Sequence, residues 1–295
     1  MRKSKLTIKR LFGIAFSVIV LSTFSLGLVL IIKTLSSFSE PAYVPPAKKE
    51  AADTVESTSL YQKRTDYVLR VALLADSHGN VDLLNKALVA VKSLEINTVF
   101  YLGDLTDLGV ENALEEGKKV LDESKLTYYI LPGDHDLWKS VGPENFKKVF
   151  GETHRQVTIN GVNFVLLDNS ANYTKIDVSQ MAWFEKIGSA ADFILLPQPI
   201  YHPYIDRVMG VVNGEEVTDL HDQAQYILKL IRNWDTKAVI AADQHTSSQY
   251  PDPVRKTLKH IVVGAITDVR NLQTPRFAVL TMYKDGAYDV EDITL

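Results

Sequence analysis

The sequence contains no cysteine in its 295 residues. Disulfide bonds, zinc–thiolate sites, lipid-modified cysteines and thiol nucleophiles are therefore excluded, while the redox compartment stays open. Beyond the extreme N-terminus the sequence also lacks a cluster of Lys and Arg, and its net charge is -4. Because binding to a nucleic-acid backbone needs many clustered cations to neutralise phosphates, we expect no nucleic-acid partner. No internal repeat is visible.

One long apolar run stands near the N-terminus. Residues 11–32 carry no charge and would span about 33 Å as a helix, enough to cross a hydrocarbon core. Residues 1–10 before it include five basic side chains. The positive-inside tendency then predicts a single-pass anchor in the cell membrane, with a cytoplasmic N-terminus and the remaining chain outside the cytoplasm. The alternative is a cleaved signal peptide, whose apolar core is usually shorter.

Residues 33–65 have the composition of a linker, with several prolines and mixed charges. Residues 66–295 fit one sizeable domain in which strand-like and helix-like stretches alternate. Apolar runs predict strands at 67–75, 98–102, 127–131, 162–168, 193–196, 238–241, 261–263, 277–282 and 288–293. Amphipathic spacing predicts helices at 81–91, 110–121, 180–187 and 222–234. Helical crossovers followed by strands of mixed direction indicate a two-sheet α/β sandwich.

Aspartate and histidine side chains follow four of these predicted strands. They are Asp76 and His78, then Asp104, then Asp134, His135 and Asp136, and finally Asp243 and His245. One such cluster alone would indicate a turn or a surface residue. Because ligands bind outside the carboxyl ends of strands in α/β sheets, four clusters are expected to converge on one crevice. Oxygen and nitrogen donors in one crevice hold divalent ions, so the pattern predicts a hydrolytic metal centre.

This ordered set resembles the calcineurin-like metallophosphoesterases, whose pattern runs D-x-H, G-D, G-N-H-D/E, a His usually followed two residues later by Pro, and G-H-x-H. Residues 133–185 are similar to the purple acid phosphatase and cyclic-nucleotide phosphodiesterase branches, with a helix expected at 146–150 and Leu167-Asp168-Asn169-Ser170 closing a predicted strand. The resemblance covers residues 67–295. It implies an α-β-β-α sandwich of two sheets.

The resemblance also implies a role for each matching residue. Three of them match ligands of the first metal: Asp76, His78 and His245. Asp104 matches the carboxylate that bridges both metals, His135 matches the histidine that meets the substrate, and Asp136 would orient its ring. The implied cofactors are one or two divalent ions per chain (Mn, Fe, Mg or Zn). The implied reaction is attack by metal-activated water on a phosphomonoester or phosphodiester.

The second metal site departs from the family's pattern. Asp134 stands where the family has Asn, Asp243 replaces a His, and Pro197 stands where a His ligand is expected. His202 is a candidate replacement ligand if its loop folds back. In one interpretation Asp134 and Asp243 still ligate, and their oxygens favour Mn²⁺, Mg²⁺ or Ca²⁺ over Zn²⁺. In the other, the site has decayed and the domain is a non-catalytic or weakly active cell-surface binding domain.

The complete first-metal set favours retained chemistry. We therefore predict a membrane-anchored, extracytoplasmic metal-dependent phosphoesterase, with a phosphoester as its substrate and the membrane as its partner through residues 11–32. The identity of the substrate does not follow, because loops that vary freely on one fold determine it.

Overall fold

The computed structural model of the protein describes residues 64–295. The predicted N-terminal segment 1–10, the predicted transmembrane helix 11–32 and the predicted linker up to residue 63 lie outside the described residues. Within 64–295, no helix is both long enough and apolar enough to span a membrane.

The strands of this region are short, and helices separate the first four of them. They are β1 (Tyr67–Leu74), β2 (Thr98–Tyr101), β3 (Thr127–Ile130), β4 (Arg155–Ile159), β5 (Val162–Leu166), β6 (Phe193–Leu195), β7 (Val211–Val212), β8 (Glu215–Glu216), β9 (Ala238–Ala241), β10 (Ser248–Pro251), β11 (Lys259–Val262), β12 (Arg276–Tyr283) and β13 (Tyr288–Thr294). The helices are α1 (Val81–Ser93), α2 (Glu111–Glu123), α3 (Asp134–Leu137), α4 (Glu144–Phe150), α5 (Val178–Ile187) and α6 (Thr218–Arg232).

The strands build two mixed sheets and one small β7–β8 hairpin. The first sheet has the order β13-β12-β1-β2-β3, in which β1, β2 and β3 are parallel. The second has the order β10-β11-β9-β6-β5-β4, with β5, β6, β9 and β11 parallel. The two-sheet α/β prediction is confirmed. In each sheet the parallel strands end along a common edge, which is where their following loops meet.

Alternation along the strands divides the apolar side chains between two buried faces. Leu73, Phe100 and Phe164 pack in the core between the sheets, where the Phe100 and Phe164 ring centroids are 4.6 Å apart. Leu74 faces the other way and packs with α1 and α2, while Ile194 packs with α5 and α6. Strands covered on both faces read as continuous apolar runs, which is why these strands could be predicted.

Five elements escaped prediction: α3, β4, β7, β8 and β10. The edge strand β4 pairs on one side with β5 and buries only Val157, so it has no apolar run to detect. The edge strand β10 likewise buries no residue fully and ends in Pro251. Edge strands of this kind carry polar residues and proline because one side of their backbone remains unpaired.

Candidate metal centre

Five of the predicted ligand residues adopt a backbone conformation that is unusual for residues with a side chain. The φ angles are 53° at Asp76, 47° at His78, 54° at Asp104, 69° at Asp243 and 54° at His245. Left-handed backbone is strained for residues other than glycine, and such strain clusters at functional sites. These residues follow β1, β2 and β9 at the edge where the parallel strands end. The strain therefore marks this edge as a candidate site.

The loops after β2 and β3 contact each other through their backbones. A Cβ atom added at Gly103 would lie 2.9 Å from Gly133 Cα, and one added at Gly133 would lie 2.0 Å from Asp104 Oδ1. Glycine at both positions therefore allows the loops to approach. This approach lets the His135 backbone N–H donate to Asp104 Oδ1 at 3.1 Å. The glycines of Gly103-Asp104 and Gly133-Asp134 therefore allow the two loops to pack together, besides letting the chain turn.

Four buried side chains form the first candidate metal site: Asp76, His78, Asp104 and His245. Each offers a donor atom, and these atoms all lie within 4.8 Å of one another. His78 Nε2 lies 2.9 Å from His245 Nε2 and 3.7 Å from Asp104 Oδ2. Both Asp76 carboxylate oxygens and Asp104 Oδ2 are buried without a hydrogen-bond partner among the described residues. Because an unpaired buried carboxylate is costly, this donor set fits a divalent cation.

The electrostatics of this group also fit a cation. Burial, reinforced by neighbouring carboxylates, raises the pKa of Asp76 and of Asp104 well above the usual range. Burial, reinforced by nearby positive charges, lowers the pKa of His78 to about 3 and that of His245 to about 4. The imidazoles are therefore held in the neutral form that binds metals, and a bound cation would restore the carboxylates to their charged form.

His135 lies beside this group with one ring nitrogen already engaged. Its Nδ1 atom is 2.8 Å from the backbone oxygen of Asp107. Because a carbonyl oxygen can only accept, Nδ1 carries the proton and Nε2 remains for a ligand or substrate. The His135 ring packs edge-on against His78 at 4.7 Å and against the exposed Trp138 at 5.0 Å. The residue predicted to meet the substrate thus stands between the metal ligands and an exposed indole.

The prediction that Asp136 orients the His135 ring is wrong. The Asp136 carboxylate accepts instead from three backbone N–H groups, those of Leu105, Thr106 and Gly133, at 2.9 to 3.1 Å. It also accepts from the Thr106 hydroxyl at 2.9 Å. Asp136 therefore ties the loop after β2 to the loop after β3. Its contribution to the site is to hold Asp104 in place.

Asp107 was not predicted and has two roles in the geometry. Besides its backbone contact with His135, its Oδ1 lies 3.1 Å from His78 Nδ1. Arg270 Nη2 lies 3.4 Å from the same ring nitrogen and 3.7 Å from Asp107 Oδ1. A carboxylate on the outer nitrogen of a metal-binding histidine fixes the ring's orientation. Only the position of Asp107 three residues after Asp104 could have suggested it.

The two carboxylates predicted for a second metal have different surroundings. Asp134 Oδ2 accepts from Asn172 Nδ2 at 2.6 Å, while Oδ1 is buried without a partner among the described residues. Asp134 also groups with Asp104 and His135 as donors that could hold an ion. Asp243 belongs to none of the donor groups found within 64–295. Its oxygens contact Arg207 instead, with Nε at 2.8 Å and Nη2 at 3.1 Å.

His202 and Pro197 lie in the loop after β6. His202 Nδ1 accepts from the backbone N–H groups of Tyr204 and Ile205 at 3.1 and 2.9 Å, and Nε2 lies 3.2 Å from Ser248 Oγ. The structure therefore places both ring nitrogens against other partners, and His202 is in none of the donor groups within 64–295. The Pro197 carbonyl accepts from the Ala242 backbone N–H at 3.0 Å. This position contributes a backbone contact between two loops.

A family model described as calcineurin-like phosphoesterase matches residues 69–247. The fold is similar to that of a dimetal phosphatase from Danio rerio, with a TM-score of 0.57 and 16% identity over 78% of this chain and 99% of that one. GAP50, described as the anchor in the inner membrane complex of Plasmodium, has a TM-score of 0.53 and 16% identity over 77% of this chain and 84% of that one.

A purple acid phosphatase from yellow lupin (Lupinus luteus) has a TM-score of 0.54 and 13% identity. The likeness covers 76% of this chain and 53% of the lupin chain. No curated protein matches the chain. At these identities the similar structures show a shared fold.

Proposed function

We propose that this chain, which belongs to the calcineurin-like phosphoesterase family, hydrolyses a phosphomonoester or phosphodiester in a metal-dependent reaction. The observation that carries the proposal is the buried donor set of Asp76, His78, Asp104 and His245. Three carboxylate oxygens of this set, both of Asp76 and Oδ2 of Asp104, lack hydrogen-bond partners within the described chain. A divalent ion held there would lower the pKa of a bound water and neutralise charge on the phosphoryl group.

The protein's own groups would then position the substrate and move its protons. His135 keeps a proton on Nδ1 through Asp107, so Nε2 is the atom that would take up a second proton and pass it to the ester's leaving oxygen. Asp136 holds the loops that carry Asp104 and His135. Arg270 adds positive charge beside His78, which favours approach of an anionic ester.

The test is an assay of the purified full chain on p-nitrophenyl phosphate and bis(p-nitrophenyl) phosphate. The chain is first stripped with EDTA and then given Mn²⁺, Mg²⁺, Zn²⁺ or Fe²⁺. We expect hydrolysis that depends on added metal, is lost in Asp104→Asn and is kept in Asp122→Asn. Asp122 is a matched control because it is a partly exposed aspartate on α2 that pairs with Lys118. A wild-type chain that binds metal but hydrolyses neither ester would contradict the proposal.

A second candidate function is a non-catalytic or weakly active binding domain on the same fold. Two observations favour it: the Asp243 carboxylate is paired with Arg207, and Pro197 stands where the family's pattern expects an imidazole ligand. GAP50, which is described as an anchor, is one protein of similar fold. The same assay separates the candidates, because a binding domain would retain metal without turnover.

We further propose that residues 11–32 anchor the domain in the cell membrane with residues 66–295 outside the cytoplasm. The proposal is supported by the uncharged apolar run and by the basic residues within 1–10. An extracytoplasmic domain without cysteine has no thiol to oxidise in that compartment.

A further inference from the structure

Arg207 is built into the metal centre from the loop that follows β6. Its guanidinium contacts both Asp243 oxygens, through Nε at 2.8 Å and Nη2 at 3.1 Å. Its backbone oxygen accepts from Gln244 Nε2 at 2.7 Å. Consecutive residues after β9 therefore hold this arginine at both its side chain and its backbone. Such a two-point attachment fixes the guanidinium at the site.

The guanidinium faces the carboxylates as well as solvent. The Asp243 side chain is only 10% exposed, whereas the Arg207 side chain is 50% exposed. Burial lowers the pKa of Arg207, but the charges of Asp243, Asp134 and Asp104 together raise it above its usual value. The cation therefore lies near the carboxylates that were predicted to bind a second ion. Half of the arginine side chain remains exposed to solvent.

A second metal ion bound through Asp243 does not fit beside this arginine. The predicted second site needs Asp243 as a ligand, but both Asp243 oxygens are engaged by the guanidinium. A divalent ion at that carboxylate would also lie close to a permanent positive charge, and like charges repel. The position of Pro197 supplies no side-chain donor to replace the lost ligand. These three facts disfavour a two-metal centre of the kind implied by the resemblance.

An arginine can perform part of what a second cation does for a phosphate ester. Guanidinium groups donate hydrogen bonds to phosphate oxygens in a fixed planar geometry and keep their charge at every physiological pH. Arg207 uses Nε and Nη2 on Asp243, which leaves further N–H groups for a ligand. It cannot lower the pKa of a water molecule, so that task stays with the first site.

We propose that Arg207 takes the place of a second metal ion in this chain. One divalent ion binds Asp76, His78, Asp104 and His245, and the Arg207 guanidinium, held by Asp243, supplies the other positive charge to the phosphoryl group. The inference rests on the proposed function for its ligand, a phosphate ester, but its statement about metal content stands apart from turnover.

The test measures metal content and phosphate binding in the purified full chain. After EDTA treatment, the chain is dialysed against Mn²⁺, its manganese is counted by elemental analysis, and its EPR spectrum is recorded. Inorganic phosphate is then titrated calorimetrically at one equivalent of Mn²⁺. The variants are Arg207→Ala, Arg207→Lys and the control Arg64→Ala. Arg64 also pairs with two carboxylates, those of Asp66 and Asp285, at a partly exposed position.

Wild type and Arg64→Ala are expected to bind one Mn²⁺ per chain with the six-line spectrum of an isolated ion. Arg207→Ala is expected to gain a second, spin-coupled Mn²⁺ because Asp243 is released. At one equivalent of Mn²⁺, it should bind phosphate about tenfold or more weakly, the loss expected for a hydrogen bond to a charged group. Arg207→Lys keeps the charge, so it should stay at one ion and lose less phosphate affinity. If Arg207→Ala fails to fold, the Mn²⁺ content and phosphate affinity of Arg207→Lys test the inference instead.

Two coupled Mn²⁺ ions in wild type would overturn the inference, as would unchanged phosphate binding in Arg207→Ala. The failure of the proposed function has a different signature. One Mn²⁺ per chain with no ester hydrolysis contradicts the proposed function and supports the metal count. Hydrolysis by a wild-type chain that holds two Mn²⁺ ions supports the proposed function and overturns the role of Arg207.

Discussion

The backbone oxygen of Asp107 lies 2.8 Å from His135 Nδ1, and this contact fixes which nitrogen of the His135 ring is free. Because the carbonyl can only accept, the proton stays on Nδ1, and Nε2 is available to a substrate oxygen. The tautomer is thus set by the main chain of the loop after β2. No side-chain carboxylate is needed for it.

If His135 acts on the substrate in this way, His135→Ala should lower turnover by about 10²- to 10⁴-fold, the usual contribution of general acid–base catalysis. The affinity for the first Mn²⁺ should change little, because that ion is assigned to other residues. His154→Ala is the control, since His154 packs edge-on against Trp183 at 4.7 Å. Loss of the first Mn²⁺ in His135→Ala would show that the ring is a metal ligand.

Because the loops after β2 and β3 are in contact, one methyl group added at Gly133 should lower the stability of the fold. Gly133→Ala would place Cβ 2.3 Å from the Asp104 backbone nitrogen, and backbone cannot move away as a side chain can. We expect the free energy of unfolding to fall by about 1–3 kcal/mol, together with weaker Mn²⁺ binding.

Gly142→Ala is the matched control for Gly133→Ala. The nearest atom to its added Cβ is a carboxylate oxygen of Glu144 at 2.7 Å, the far end of a flexible side chain. Urea unfolding followed by circular dichroism measures both variants. Equal stability of the two would mean that the close approach of the loops is not enforced.

A buried cluster far along the chain predicts how stability depends on pH. His260 Nε2 lies 3.0 Å from Asp252 Oδ2, and Arg232 Nε donates to the same carboxylate at 3.1 Å. Burial raises the pKa of Asp252, but hydrogen bonds, chiefly from Arg232, hold it well below its usual value. Burial lowers the pKa of His260, and its bond to Asp252 offsets this only in part.

His260 is therefore neutral in the folded protein at a pH where the unfolded chain already binds a proton. As the pH falls below about 6.5, the unfolded state gains this proton first, so the free energy of unfolding decreases. The loss is at most about 1.4 kcal/mol per pH unit for this group. The contribution of Asp252 persists to lower pH and is lost only below about 3.9.

Urea unfolding at several values between pH 7 and pH 5 measures this dependence. His260→Gln should show a shallower decrease than wild type, because it removes one of the groups that titrate. Parallel curves for the two proteins would contradict the assignment of a depressed pKa to His260.

The topology of the chain can be tested in intact cells. If residues 11–32 are an anchor and the N-terminus is cytoplasmic, added protease should digest the domain and leave a short protected N-terminal piece. Protection of the whole domain would reverse the orientation. A mature protein that begins after Ile32 would identify the apolar run as a cleaved signal.

The convergence of Asp76, His78 and Asp104 was predictable because its signal is local. Asp76 and His78 stand two residues apart after an apolar run, and Asp104 follows the next one. Parallel strands bring such positions to one edge whatever the intervening sequence. Predicted strands such as β2, β6 and β9 are buried on both faces, whereas β4 and β10 lie at sheet edges and have no apolar pattern.

The partners of the remaining site residues could not be predicted, because they depend on loop paths. Arg207 and Asp243 are 36 residues apart, and no periodicity or spacing links them. Asp136 was expected to orient the ring of His135, its neighbour in sequence. Adjacent residues of a helical turn such as α3, however, point in different directions. His202 was considered because it lies near Pro197 in sequence, but its own loop engages Nδ1, and Ser248 of β10 lies beside Nε2.

The glycine contact between the two loops has a consequence for engineering this domain. The close approach of Gly103 and Gly133 sets the spacing between Asp104 and His135. A side chain at either glycine would clash with backbone, so these two glycines should be left unchanged in directed evolution.

Two exposed aromatic residues beside the site are different. Trp138 packs against the His135 ring, Tyr173 follows the Asn172 that bonds to Asp134, and they expose 60% and 70% of their surface. Randomising these two positions should shift ester preference while leaving the predicted metal ligands in register, which makes them the place to build a library.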